Sequence, residues 1–274
     1  MKKNSRKIIV AVAPVGRDIK TPSLNPLTPE EVAREVIACA EAGASMVHLH
    51  VRDKEGNQTE DVTEFSNTLD LIRQSSDIII QGSTGGLTTL TLEERCVALT
   101  DPKVEVASLN MGSVNFGDEV YVNRIPDIRY WARRMEEVGV APELEVFEIG
   151  MIPVAQKLID ENVIKPPYHF NFCLGAHWGI PADPRCLFYL TSMIDEDNGW
   201  GLVHDSMNDF SLLAAAISLG ATVVRVGFED SVYFAPGKIA KTNKDLVQGL
   251  VSLIKQLGFE VAEPHEAREL LGLK

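Results

Sequence analysis

Short apolar runs alternate with amphipathic stretches along the whole chain, and this rhythm limits the fold more than any other feature. The runs are Ile8 to Ala13, Gly43 to Asp53, Ile78 to Ile80, Val104 to Ser108, Glu143 to Phe147, His169 to Cys173, Gly201 to Val203 and Thr222 to Val226. Helical spacing follows each of them. It ends at Ala42 after the first, then covers Val62 to Gln74, Leu92 to Leu99, Ile125 to Val138, Val154 to Glu161, Asp183 to Met193, Ser206 to Leu219, and Thr242 or Asn243 to Leu257. Thr28, Pro29 and Glu31 supply an N-cap, a first-turn proline and a capping box for the first helix. Such alternation implies a parallel sheet with right-handed crossovers. Eight units within 274 residues fit a closed (β/α)8 TIM barrel better than an open sheet. A doubly wound sheet would want Gly-x-Gly-x-x-Gly after its first strand, and Pro14-Val15-Gly16-Arg17-Asp18 does not supply it. Pro264 to Leu271 adds a short C-terminal helix. No linker breaks the pattern, so residues 1–274 are expected to form a single TIM-barrel domain.

A formal net charge of −13 argues against a nucleic-acid surface, which needs a basic stripe. The apolar run after the basic N-terminus is too short for a signal peptide, and no segment approaches the roughly 20 residues of a membrane span. Cys39, Cys96, Cys173 and Cys186 form no Cys-x-x-Cys pair. A reducing, cytoplasmic setting is the expectation.

In a barrel, chemistry gathers at the C-terminal ends of the strands. On the second strand Met46, His48, His50 and Arg52 share one face, while Val47, Leu49 and Val51 share the other. Two imidazoles about 7 Å apart at the backbone can converge on one metal ion. On the eighth strand Arg225 and Glu229 share a parity, so both can face inward. His48, His50 and Glu229 then make a two-histidine, one-carboxylate set suited to Zn2+, with another divalent metal such as Fe(II) also compatible. Arg225 and Asp230 are placed to form an ion pair beside it that tunes a proton transfer. Gly82-Ser83-Thr84-Gly85-Gly86 offers backbone N–H groups and hydroxyls as a carboxylate or oxyanion cradle. Asn110 ends the fourth strand. Glu143 and Glu145 are inward carboxylates for a cationic group or for Arg225. His204 is a weaker site candidate, His177 lies in the loop after the sixth strand, and His169 is expected to be a satisfied barrel histidine.

The chain resembles the β-keto acid cleavage enzymes over almost its whole length. The motifs are Thr28-Pro-Glu-Glu31, Gly43 to Asp53, Gly82-Ser-Thr-Gly-Gly86, Ser108-Leu-Asn-Met-Gly-Ser113, Pro142-Glu-Leu-Glu-Val-Phe147 and Val224-Arg-Val-Gly-Phe-Glu-Asp230. The resemblance implies a zinc-dependent barrel, usually a homotetramer, acting on a β-keto acid with acetyl-CoA as co-substrate. It implies that His48, His50 and Glu229 hold Zn2+, which takes the keto and carboxylate oxygens of the acid. Ser83 and the following glycines would hold the carboxylate. Arg225 with Asp230 would promote deprotonation of acetyl-CoA. Enolate attack on the keto carbon, CoA transfer and a retro-Claisen step would yield acetoacetate and a new acyl-CoA. Family members often carry Gly-x-Glu after the first strand to read the far end of the substrate. Here Gly16-Arg17-Asp18 stands in its place, so Asp18 is the expected contact, with a β-keto acid of polar or anionic tail rather than 3-keto-5-aminohexanoate. A CoA-independent metal-dependent aldolase, lyase or hydrolase, and a non-catalytic metabolite-binding barrel, are the alternatives.

Overall fold

The computed structural model describes residues 6–16, 25–85 and 90–273. Among them, parallel strands Lys7–Val12, Met46–Leu49, Ile79–Gly82, Val106–Asn110, Ala141–Val146, His169–Leu174, Gly199–His204 and Val223–Val226 lie side by side in chain order. The eighth closes on the first, with Ile9 opposite Val223 and Ala11 opposite Arg225. The result is the expected (β/α)8 TIM barrel. Helices α1 (Pro29–Glu41), α2 (Thr63–Arg73), α3 (Leu92–Arg95), α4 (Ile125–Val138), α5 (Met151–Asp160), α6 (Pro184–Thr191), α7 (Ser211–Leu219) and α8 (Asn243–Gln256) follow the strands in turn.

Strand alternation divides the core in two. Ile8, Val10, Val12, Val47, Leu49 and Ile80 face outward and pack on apolar helix positions such as Val32, Val36, Leu69 and Ile72. Ile9, Met46, Ile79, Val106 and Val223 face inward and cluster separately with Ala267 and Leu271. Those last two belong to α9 (Pro264–Leu271), so the added C-terminal helix stops the N-terminal end of the barrel. Before it, Glu260–Val261 pairs in parallel with Lys7 and Ile8. Ion pairs Lys7–Glu266 and Arg268–Glu105, the second at 2.6 Å, hold the stopper in place.

Several elements differ from expectation. The third helix is one α turn followed by a 3-10 turn at Val97–Thr100. Ser206 does not cap a helix; it lies outside at φ 59°, and Asp209 Oδ1 accepts the Ser211 N–H at the start of α7 instead. Two hairpins lie in the loops after the fourth and eighth barrel strands. One pairs Val114–Phe116 with Glu119–Tyr121, and the other pairs Tyr233–Ala235 with Lys238–Ile239. The four cysteines are free thiols. No helix among the described residues is long and apolar enough to cross a membrane.

Candidate active site

His48 stands inside the second strand and His50 directly after it, with their rings edge-on at 5.1 Å between centroids. Glu229 Oε1 approaches both, at 3.8 Å from His48 Nε2 and 3.6 Å from His50 Nε2. One donor atom from each of the three lies within 4.8 Å of the others. These separations are too long for hydrogen bonds, yet they suit ligands that each stand about 2.0–2.2 Å from a shared ion. Burial pushes the His48 pKa down to about 3, so its ring is neutral and keeps a lone pair to give. Gln81 Oε1 lies 2.7 Å from His48 Nδ1. A carbonyl oxygen only accepts, so Nδ1 carries the proton and Nε2 is left for a metal. Gln58 faces His50 Nδ1 with its amide nitrogen Nε2, at 3.0 Å. Its amide offers oxygen or nitrogen by rotation, and a metal on His50 Nε2 requires the oxygen. The donor set therefore fits a divalent ion such as Zn2+.

Arg225 donates to both oxygens of Asp230, at 2.9 and 2.5 Å, and Nη2 reaches Glu229 Oε1 at 3.4 Å. Burial opposes the Arg225 charge, but Asp230 and Glu229 hold its pKa well above the ordinary value. Burial likewise opposes the charge on Glu229, and His50, His48 and Arg225 hold that carboxyl well below its usual range. The loop carrying Glu229 is fixed from beneath. Gly227 has φ 146°, and a Cβ there would lie 2.1 Å from the Ala13 carbonyl oxygen. Glu229 N–H donates to that same oxygen at 3.1 Å. Asn243, wholly buried at the start of α8, accepts from Phe228 N–H and donates to Pro14 O. Thr242 does the capping of α8, which leaves Asn243 for this clamp.

The other expected residues surround this centre. Ser83 Oγ accepts from Gly85 N–H at 3.0 Å. Thr84 is turned away, its hydroxyl donating to Ser108 O. Asn110 is buried, with Oδ1 taken by Gly112 N–H and Nδ2 without a partner among the described residues. Glu143 accepts from Asn171 Nδ2 at 2.7 Å, and burial raises its pKa against the pull of the Gln81 and Asn171 amides. Burial, then the neighbouring Glu143, pushes Glu145 up to about 8. Neither glutamate pairs with Arg225. Asp18 and Gly86 lie outside the described residues. His204 Nδ1 is buried without a hydrogen-bond partner among the described residues, and burial lowers its pKa. His177 stacks edge-on against the exposed Trp178. His169 is not the satisfied histidine expected: among the described residues neither ring nitrogen makes a hydrogen bond, with Nδ1 3.9 Å from Glu143 Oε2, and burial lowers its pKa to about 4. Sequence reasoning missed Gln58, Gln81, Asn243 and Tyr121. The inward parity of Gln81 was a usable signal, whereas the other three depend on loop geometry.

Comparison with known proteins shows the family and the fold. A family model described as beta-keto acid cleavage enzyme matches residues 7–273. The 3-keto-5-aminohexanoate cleavage enzyme of Fusobacterium nucleatum is 41% identical over 273 residues, covering 98% of each chain. The 3,5-dioxohexanoate:acetyl-CoA acetone transferase of Paraburkholderia graminis is 32% identical over 301 residues, covering 98% of this chain and 96% of its own. Among solved structures, a ternary complex of ObcA with a C4-CoA adduct and oxalate superposes with a TM-score of 0.80. It is 19% identical and covers 91% of this chain and 67% of its own, a likeness of fold.

Proposed function

This chain belongs to the β-keto acid cleavage enzyme family, and from that premise we propose that it exchanges acyl groups between a β-keto acid and acetyl-CoA. The bond between the keto carbon and its carboxymethyl carbon breaks. The carboxymethyl group ends on the acetyl carbon as acetoacetate, and the acyl group ends on the CoA sulfur. Atoms and electrons balance without an oxidant or reductant. The observation that carries this proposal is the cluster of His48, His50 and Glu229 with Arg225 3.4 Å from Glu229.

Zn2+ held by His48, His50 and Glu229 would supply Lewis acidity toward the oxygens of the acid. The chain does the rest. Arg225, clamped by Asp230, places a fixed cation where enolate charge develops, so no reorganisation is needed at the moment of reaction. The pair then promotes removal of an α-proton from the acid's carboxymethyl carbon, which attacks the acetyl carbonyl and expels the CoA thiolate; the thiolate attacks the keto carbon, and the acetoacetate carbanion that leaves takes the proton back. Ser83 and Gly85 bind the acid's carboxylate. The tail extends toward Asn110, Glu143 and Glu145. At neutral pH a carboxyl with a pKa near 8 is largely protonated and donates a hydrogen bond, which suits a polar or anionic tail better than an ammonium.

The test is an assay of the zinc-loaded protein with acetyl-CoA and a panel of short β-keto acids. Acetoacetate formation that requires acetyl-CoA and is lost in His48→Ala and Arg225→Ala is the expected result. Absence of acetoacetate from every acid would sink the proposal in favour of a CoA-independent lyase. A clear preference for 3-keto-5-aminohexanoate would overturn the tail assignment alone.

A further inference from the structure

Arg95 is a buried guanidinium whose hydrogen-bond partners are neutral. Its nitrogens donate to Thr84 O at 3.2 Å, Val122 O at 2.8 Å, Asn123 Oδ1 at 2.7 Å and the Tyr121 hydroxyl at 3.4 Å. The ion sits 4.1 Å from the centroid of Trp131 and 5.3 Å from that of Tyr121. Among the described residues no carboxylate pairs with it. A buried charge normally has an opposite charge or a metal beside it, because leaving water is expensive. Arg95 is therefore a buried cation that has no direct ion pair among the described residues, with Asp127 acting on it only from a distance.

The pocket beside Arg95 is lined also by His50, Ser83 and Gly85. A Cβ at Gly85 would lie 2.8 Å from the Tyr121 hydroxyl, 3.1 Å from Ser83 Oγ and 3.8 Å from His50 Cε1. No carbon fits there, so the glycine lets a phenol, a serine hydroxyl and a candidate metal ligand converge beside the chain. Tyr121 accepts from Arg95, and among the described residues its own O–H has no acceptor. Phe116 and Phe147 each pack edge-on against its ring at 6.4 Å, which fixes where the hydroxyl stands. Burial pushes the phenol pKa up, so the hydroxyl keeps its proton.

We propose that Tyr121 and Arg95 form the charge-bearing half of the carboxylate site: Tyr121 O–H donates to the substrate carboxylate, and Arg95 behind it supplies the positive charge. This rests on the β-keto acid reading above. It makes Tyr121 a binding residue and Arg95 a positioning residue acting through it. The hairpin that carries Tyr121 is then part of the acid site.

The experiment is calorimetric titration of the zinc-loaded protein with acetoacetate and with its methyl ester, without acetyl-CoA. Wild type is expected to prefer the acid. Tyr121→Phe removes only the hydroxyl, and a hydrogen bond to a charged group is worth about tenfold or more in affinity. The acid's affinity should fall by that factor while the ester's affinity, the zinc affinity and the melting temperature hold. Arg95→Lys keeps the charge and should fall between wild type and Arg95→Gln. An unchanged acid-to-ester ratio in Tyr121→Phe overturns the proposal, as does a change seen only with loss of zinc. A wild type that binds acetoacetate but makes none from acetyl-CoA would overturn the reaction and leave this site standing.

Discussion

His48 depends on Gln81 as well as on its own ring. The glutamine oxygen holds the proton on Nδ1, and so decides which nitrogen faces Glu229. Partners of this kind typically govern metal affinity by about 10–100-fold. Gln81→Leu should therefore weaken zinc binding by roughly that factor, read by competition with a chromophoric chelator. Unchanged affinity would mean that packing alone orients the ring. Glu145 gives a second expectation. Its folded pKa of about 8 lies above the ordinary 4.5, so between those values the folded protein holds a proton that the unfolded chain has lost. Its contribution to stability is complete below about pH 4.5 and fades as pH rises through about 8. In zinc-free protein, urea midpoints should fall across this window more steeply for wild type than for Glu145→Gln. Parallel curves would place the titration elsewhere.

Among the elements, α1 offers the cleanest test of local design. Thr28 accepts from Glu31 N–H, and Glu31 accepts in return from Thr28 N–H, which closes the capping box read from the sequence. Thr28→Ala should cost about 1 kcal/mol in urea unfolding and leave zinc affinity unchanged. A larger loss, or lost zinc, would show that the cap also supports the site. Strands and long helices were legible because burial on two distinct faces writes itself into alternation and helical spacing. The hairpin ending at Tyr121 was not, although Gly117 and Asp118 mark its turn. Its strands are short and largely exposed, so no apolar period announces them. The Ser206 error has a similar cause: a serine before an apolar stretch is a frequent cap, but here Asp209 stands nearer the true start. At the site, strand parity exposed His48, His50, Arg225 and both inward glutamates. It could not expose Arg95 or Asn243, whose partners sit on other elements far along the chain.

At the scale of the molecule, the candidate metal triad joins opposite ends of the sequence, since His48 lies in the second strand, His50 directly after it, and Glu229 follows the eighth. An ion held there ties these segments together only in the folded state. At a free concentration 100 times its dissociation constant, such an ion stabilises by about 2.7 kcal/mol. Chelation should lower the melting temperature of wild type and leave that of His50→Ala unmoved. An equal response in both would place the stabilising ion at another site.

The helix that stops the N-terminal end of the barrel also orders traffic. With Ala267 and Leu271 seated on the inward aliphatics, that end is a floor and not a passage. The barrel becomes a blind well. Whatever binds nearest the floor must arrive before anything that covers the opening, and it must depart after it. On the reading proposed above, a small acid bound deepest would have to enter before a bulky thioester and leave after it.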